Sequence, residues 1–307
     1  MFSLCDYLRR RIVDSAIYPY VQLARWDRPT GWRLLAWPCL WSIVLAAHSF
    51  KRSGILSWSL VLWYIFLCII GSIVMRGAGC TWNDLVDQNI DLQVYRTQSR
   101  PLPSGRCSRL QAYIFAFLQL LIGFIVLIKF NYFTIFLGCM LLAIVILYPF
   151  TKRLINYPQI VLGFCFSGGI LVGWSALYGT ISWVTILLYI GTICWVIGYD
   201  TIYAHQDKED DELIGLGSTA RFFGHNTKLW LFFLYGMFIL LFMFVLYFVH
   251  VNICAWIGML VVLYLLVWQI VVLDTSSPDK CFIAFKKNDT LGMLIFLGLI
   301  MSLLLIN

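Results

Sequence analysis

Apolar residues fall along this chain in long unbroken blocks, not in the half-apolar stripes of helices that face water on one side. Nine such blocks occupy residues 34–49, 56–76, 109–128, 132–148, 158–178, 182–199, 229–249, 251–273 and 290–306. A membrane-crossing helix needs about 17–25 such residues, so the pattern predicts an all-α, polytopic membrane protein with nine transmembrane helices, the first block being the shortest. The connections are unequal. Tyr178–Ser182 and Val249–Asn252 are tight, whereas 77–108 and 200–228 are long and polar. Long ordered connections usually carry function. No low-complexity tract or linker divides the chain, which reads as a single transmembrane domain over 1–307.

Composition supports the lipid reading: 61% of residues are hydrophobic and 12% charged, against about 45–50% and about 25% in soluble domains. The net charge of +7 serves as a topology signal. With the N-terminus placed inside and the connections alternating, every one of the 22 Lys and Arg falls inside except Lys51, Arg52 and Lys129. That asymmetry predicts a cytoplasmic N-terminus, an odd number of spans, and both long connections on the cytoplasmic side. Basic residues interleaved with apolar blocks also argue against a nucleic-acid partner.

Arg9, Arg10 and Arg11 lead into a mixed segment up to Trp32 without the apolar stretch of a signal peptide, and predict a short amphipathic helix on the membrane surface. The missing long, acid-poor presequence favours a bacterial inner membrane over the mitochondrial inner membrane. Of ten cysteines, Cys39, Cys68, Cys139, Cys165 and Cys194 lie inside apolar blocks and read as small buried side chains. No CxxC or Cys/His cluster suggests a disulfide or zinc.

The acids are concentrated. Nine of the 15 Asp and Glu lie in two windows that continue a span on the same side: Asp84, Asp87 and Asp91, and Asp200, Asp207, Glu209, Asp210, Asp211 and Glu212. On a helix Asn83, Asp87 and Asp91 form one stripe, and Asp200, Asp207 and Asp211 form another. Two such carboxylate stripes facing each other would repel strongly, and a hard divalent cation removes the repulsion. Mg²⁺ takes one or two carboxylates and leaves positions for phosphate oxygens. Arg96 and Arg100 follow the first window, and Lys152 with Arg153 follows Tyr148-Pro149-Phe150 at another inside helix end; guanidinium forks match phosphate oxygens. His205 between the acids reads as a neighbour, since lone imidazoles are uncommon in hard-oxygen sites. Neither a Ser/His/Asp arrangement nor a phosphate-binding glycine loop is evident.

At these residues the sequence resembles the UbiA superfamily of intramembrane aromatic prenyltransferases, and within it the branch that prenylates 4-hydroxybenzoate in ubiquinone synthesis. The resemblance covers nearly the whole chain. It rests on Asp27-Arg28-Pro29-Thr30-Gly31, Trp37-Pro38, Met75-Arg76-Gly77-Ala78-Gly79-Cys80 before Asn83-Asp84, and Arg96-Thr97 with Arg100-Pro101-Leu102-Pro103-Ser104-Gly105. It continues through Pro158-Gln159, the run from Tyr199-Asp200 to Asp210-Asp211, Gly215 and Ser218-Thr219-Ala220. One departure is Gly217, where related sequences often carry Lys.

The resemblance implies nine helices around a central cavity beneath a cytoplasmic cap. It also implies Mg²⁺ held by Asn83, Asp87 and Asp91 on one side and by Asp207 and Asp211 on the other. Diphosphate-binding positions map to Arg96, Arg100 and Lys152, with Asn83 and Asp84 beside them. The partners implied are polyprenyl diphosphate, 4-hydroxybenzoate and the lipid bilayer, with no organic cofactor. The expected chemistry is ionisation of the allylic diphosphate followed by attack of the ring carbon ortho to the phenol hydroxyl. Asp200 is the candidate proton acceptor, and Arg28 the candidate partner of the acceptor carboxylate. A cation transporter would not need Arg96 and Arg100 beside the acids, and the DGxxAR…GxxxDxxxD pattern of CDP-alcohol phosphotransferases is absent. A relative acting on haem, homogentisate or a naphthoate is the remaining alternative.

Overall fold

The structure is a computed structural model describing residues 15–305, apart from the side chains of Lys152, Asp210, Asp211 and Ile214. Of the segment from Arg9 to Trp32 in which an amphipathic helix is expected, residues up to 14 lie outside the described residues. Among these residues all regular structure is helical. A short α1 (Tyr18–Leu23) precedes the spans α2 (Thr30–Arg52), α3 (Trp58–Asp91), α4 (Arg109–Leu127) and α5 (Tyr132–Leu154). The fifth span is divided into α6 (Pro158–Ser167) and α7 (Gly169–Tyr178), and α8 (Trp183–Ala204) follows. Short helices α9 (Lys208–Ile214) and α10 (Thr219–Phe223) lead to α11 (Thr227–Val249), α12 (Ile253–Val272) and α13 (Pro278–Leu304). Nine segments among the described residues are long and apolar enough to cross a membrane, matching the nine blocks of the sequence.

Several helices outrun their apolar blocks. The second continues past residue 76 to Asp91, so the first acidic motif rides on a helical extension of the span. The last begins at Pro278, well before residue 290, where the Ser277 hydroxyl accepts the Lys280 amide and proline occupies the first turn. The first extends over Thr30–Arg52, and Lys51 Nζ donates to the Leu303 and Leu304 carbonyls at the end of α13, at 2.9 and 3.2 Å. Hydropathy finds the lipid-spanning part of a helix and misses the ends that snorkel or project.

The core is aromatic where α2, α8 and α11 meet. Trp41 lies 5.1 Å from Trp195 and 5.8 Å from Phe242 between ring centroids, and Trp195 stacks 5.8 Å from Phe238. Glycine lets α7 come against α2: a Cβ at Gly169 would stand 2.5 Å from Cys39 Sγ and 2.9 Å from its backbone N. Such small-residue contacts substitute for a hydrophobic drive that lipid does not supply. Large apolar side chains such as Phe117 on α4 and Tyr264 on α12 remain exposed on the bundle surface, as lipid contact requires.

Cys39 and Cys68 are buried as expected, but Cys165 and Cys194 are half-buried and Cys139 is exposed. Cys139 belongs to the wall of a cavity on α5, not to a sealed interface. The described cysteines are free.

Candidate active site

A cavity of about 1380 Å³ runs into the bundle from the end that carries both acidic motifs. Its walls differ in chemistry along its length. Asn83, Asp84, Asp87, Asp91, Arg96, Arg100, Asp200 and Asp207 line the polar end; Leu120, Phe124, Leu127, Leu142 and Phe166 belong to the apolar arm. The segment 92–107 and helices α9 and α10 lie at the polar end. Thr219 of α10 donates its amide to Gln159 Oε1 of α6 at 3.0 Å, and the Thr201 and Thr219 hydroxyls meet at 2.7 Å, which ties this cap to the bundle.

The first motif sits on α3 as one helical stripe, as expected. Asp84, Asp87 and Asp91 are all buried, and each faces arginine. Arg25 Nη2 donates to both oxygens of Asp84, at 2.8 and 2.9 Å. Arg100 Nη1 lies 3.3 Å from Asp84 and 2.7 Å from Asp91. Arg153 Nη2 donates to Asp87 at 3.1 Å and to the Val86 carbonyl.

The second motif departs from expectation. A single helical face over Asp200, Asp207 and Asp211 is not formed, because α8 ends at Ala204 and a turn over His205–Asp207 intervenes. The amides of His205, Gln206 and Asp207 close short bonds onto Ile202, Tyr203 and Ala204. Asp207 then stands immediately before α9, where acids suit the helix dipole. Asp200 stays on α8 and lines the cavity. The side chains of Asp211 and Lys152 lie outside the described residues.

Arg96 reaches across from the segment after α3. Its Nε donates to Asp207 Oδ1 at 2.6 Å, its Nη2 to the other carboxylate oxygen, and its Nη1 to the Tyr203 hydroxyl at 3.3 Å. Burial opposes the guanidinium charge of both Arg96 and Arg25, but Tyr203 and Asp207 around Arg96, and Asp84 beside Arg25, outweigh it and hold both pKa values above the ordinary arginine range. His205 is buried, contacts Thr227 Oγ1 at 3.2 Å, and is pushed down to about 4 by burial and then by Lys208.

Sequence reasoning missed three participants. Arg25 and Arg76 entered only as topological charge or as part of a resembling block, and Arg153 stood second to Lys152. Arg76 lies seven residues before Asn83 on α3, about 10 Å deeper along the helix. Its Nε is buried without a hydrogen-bond partner, and its guanidinium lies 5.2 Å from the Phe166 ring centroid. A Cβ at Gly31 would stand 2.8 Å from that Nε, which brings the Asp27–Gly31 and Met75–Cys80 blocks of the sequence together. The Tyr199 hydroxyl, also on the cavity wall, is likewise buried and unpartnered. Arg28 is at the rim, 65% exposed and 3.7 Å from Asp27. Gly217 packs on the backbone of Ile155 and Asn156, with a Cβ 2.9 Å from Asn156 Cα, so the lysine of related sequences has no room in this packing.

Among the described residues no three His, Cys, Asp or Glu converge closely enough to hold a metal unaided. The donors on the cavity wall are nonetheless hard oxygens on opposing segments, Asn83, Asp87 and Asp91 against Asp207. That set fits Mg²⁺, which binds through one or two carboxylates and completes its shell with water and phosphate.

A helical membrane bundle with facing acid motifs, an arginine lattice between them and an apolar arm is the architecture of an intramembrane prenyltransferase. The chain belongs to the UbiA prenyltransferase family, whose model matches residues 35–300. It is 42% identical over 292 residues to the mitochondrial 4-hydroxybenzoate polyprenyltransferase of Drosophila melanogaster, covering 95% of this chain and 73% of that one. It is 38% identical to the 4-hydroxybenzoate octaprenyltransferase of Tolumonas auensis, covering 95% and 99%. Its fold is similar to an apo UbiA homologue from Aeropyrum pernix K1, with a TM-score of 0.71 and 21% identity over 88% of this chain and 97% of that one. It is also similar to a UbiA homologue from Archaeoglobus fulgidus bound to GPP and Mg²⁺, with a TM-score of 0.63 and 18% identity over 92% and 99%.

Proposed function

We propose that this protein transfers a polyprenyl group from polyprenyl diphosphate to the 3-position of 4-hydroxybenzoate, in ubiquinone biosynthesis. The observation that carries the reading is the cavity itself, which joins a lattice of acids and arginines to an apolar arm. An isoprenoid diphosphate has the same two-part chemistry, and the relatives named above supply the acceptor.

Arg96 and Arg100 bind the diphosphate. Both now donate to carboxylates, at 2.6 Å to Asp207 and 2.7 Å to Asp91, and both turn onto phosphate oxygens when the substrate enters. Asn83, Asp87 and Asp91, with Asp207 and Asp211, would hold Mg²⁺, which when bound neutralises the charge of the departing diphosphate. The apolar arm orients the isoprenoid and excludes water from the allylic carbon, where fixed positive charge acts most strongly. Lys152 is assigned to the diphosphate as well.

The acceptor lies one tier deeper. Beside Arg28, the candidate from the sequence, Arg76 is the carboxylate partner favoured in this reading, supported by its buried Nε, which has no partner in the protein and is costly to leave unsatisfied. Arg28 stays at the rim, on the acceptor's approach. The allylic cation is captured by the ring carbon ortho to the hydroxyl; the C–C bond forms, Asp200 takes the ring proton, and aromaticity returns. The asymmetry of Lys and Arg supports an inner-membrane orientation with the polar end toward the cytoplasm, or the matrix if the membrane is mitochondrial.

Membranes carrying the protein, with Mg²⁺ and a polyprenyl diphosphate, should convert 4-hydroxybenzoate to its 3-polyprenyl product. EDTA should abolish the reaction, and benzoate without the hydroxyl should be inert because its ring is too electron-poor. An inert 4-hydroxybenzoate together with prenylation of haem or homogentisate would overturn the acceptor assignment.

A further inference from the structure

Asp84 lies between Asn83 and Asp87 in sequence, yet its side chain is only 1% exposed and both its oxygens are taken by Arg25. Arg100 is shared. Its Nη1 donates to Asp91 at 2.7 Å and, over the longer 3.3 Å, to Asp84 Oδ1. Arg25 comes from the junction between α1 and α2 and holds φ at 56°, in the left-handed region that favours glycine. Arg25 and His250 are the non-glycine residues with positive φ among those described. A side chain kept in such a backbone is held there by its surroundings. Its Nη1 also donates to the Gln22 carbonyl of its own turn, so the guanidinium is anchored before it meets Asp84.

We infer that Arg25 is a positioning residue: by meeting both oxygens of Asp84 at the shorter distances it limits the pull of Asp84 on Arg100 and keeps Arg100 available to Asp91 and to the substrate diphosphate. A buried carboxylate deprived of one cation draws the remaining one toward it, because little water is present to compensate. Without Arg25, Arg100 would turn fully onto Asp84 and leave the position from which it meets phosphate. Arg25 thus acts through Asp84 on Arg100, without touching the substrate. The inference rests on the diphosphate reading of Arg100.

The mechanism makes an unusual demand: loss of both partners must do less harm than loss of Arg25 alone. Arg25→Gly removes the guanidinium while relaxing the left-handed backbone, so it is the truncation best suited to fold. The full chain would be purified in detergent, checked for monodispersity, and titrated calorimetrically with a non-ionisable prenyl thiodiphosphate in the presence of Mg²⁺. Arg25→Gly should weaken binding by about tenfold or more, and adding Asp84→Asn should then tighten it by about fivefold, the size of coupling seen between contacting residues. Arg25→Lys, which keeps the charge but not the fork, should fall between wild type and Arg25→Gly. A double variant as weak as Arg25→Gly, or weaker, overturns the inference and makes Arg25 a direct ligand or a scaffold residue. Failure of the unsubstituted chain to bind the probe overturns the diphosphate reading itself, and this inference with it.

Discussion

Replacing Arg76 with methionine separates a binding role from a structural one. Methionine keeps much of the apolar stem and removes the guanidinium. On the stability side two effects oppose each other. Removing a buried donor without a partner returns about 1–3 kcal/mol, and losing the Phe166 ring contact at 5.2 Å forfeits about 0.5–2 kcal/mol. The fold should therefore be little changed, or slightly more stable. On the binding side, the proposed role means that the acceptor carboxylate loses a half-buried cationic partner. Truncating such a pair costs about 2–4 kcal/mol, a rise in KM for 4-hydroxybenzoate of about 30- to 1,000-fold. The assay is prenyl transfer in detergent, with product quantified by chromatography, run in parallel with 4-hydroxybenzoate and its uncharged amide. Thermal unfolding would be followed on the same preparations. Arg76→Met should erase the preference for the charged acceptor while sparing turnover of the amide. An equal loss with both acceptors, or a melting temperature lowered by many degrees, would refute the reasoning and return Arg76 to a packing role.

Three further outcomes are expected. Asp87→Asn or Asp207→Asn keeps side-chain size but removes a charge at the leaving group, and should lower turnover by at least about 10²-fold at saturating Mg²⁺; near-normal turnover removes that residue from the site. Gly169→Ala forces a Cβ to within 2.5 Å of Cys39 Sγ and should destabilise the contact between α2 and α7 by about 1–3 kcal/mol, read as a lowered melting temperature in detergent; an unchanged one contradicts the close approach. For orientation, single cysteines at Tyr95, which is 86% exposed, and at Thr180 should be distinguished by an impermeant thiol reagent on intact bacterial cells expressing the chain. Position 180 should label and position 95 should not, and the reverse would sink the charge argument. Cys107 is unsuitable as the inside probe because it is itself buried.

The sequence made the spans legible because lipid allows few solutions: a long apolar block is a helix or nothing. The helical stripe of the first acidic motif was legible for a different reason: residues 77–91 lie beyond the apolar block but contain no proline to break a helix. The sequence misjudged the second, because spacing over Asp200–Asp211 is compatible with one helix and carries no mark of the turn at His205. It also could not show that acids near in sequence play unlike parts. Asp84 and Asp87 are three residues apart, and only tertiary contact shows that one is claimed by Arg25 from the start of the chain and the other by Arg153 from the end of α5. Arg76 was invisible as a candidate because an arginine inside a block of positive-inside residues looks like every other, and only the unpartnered Nε sets it apart.

The seven-residue separation of Arg76 from Asn83 on α3, faced by Asp200 on α8 and Asp207 in the turn beyond its end, has a consequence for how such a catalyst could diversify. On the proposed reading, departure of the diphosphate and choice of the nucleophile fall to different storeys of the same cavity. A substitution on the lower storey, two helical turns away, can re-specify which ring is accepted without disturbing the upper one, where the bond breaks. One scaffold could thereby acquire new acceptors by small edits at depth, each inheriting a working ionisation apparatus intact.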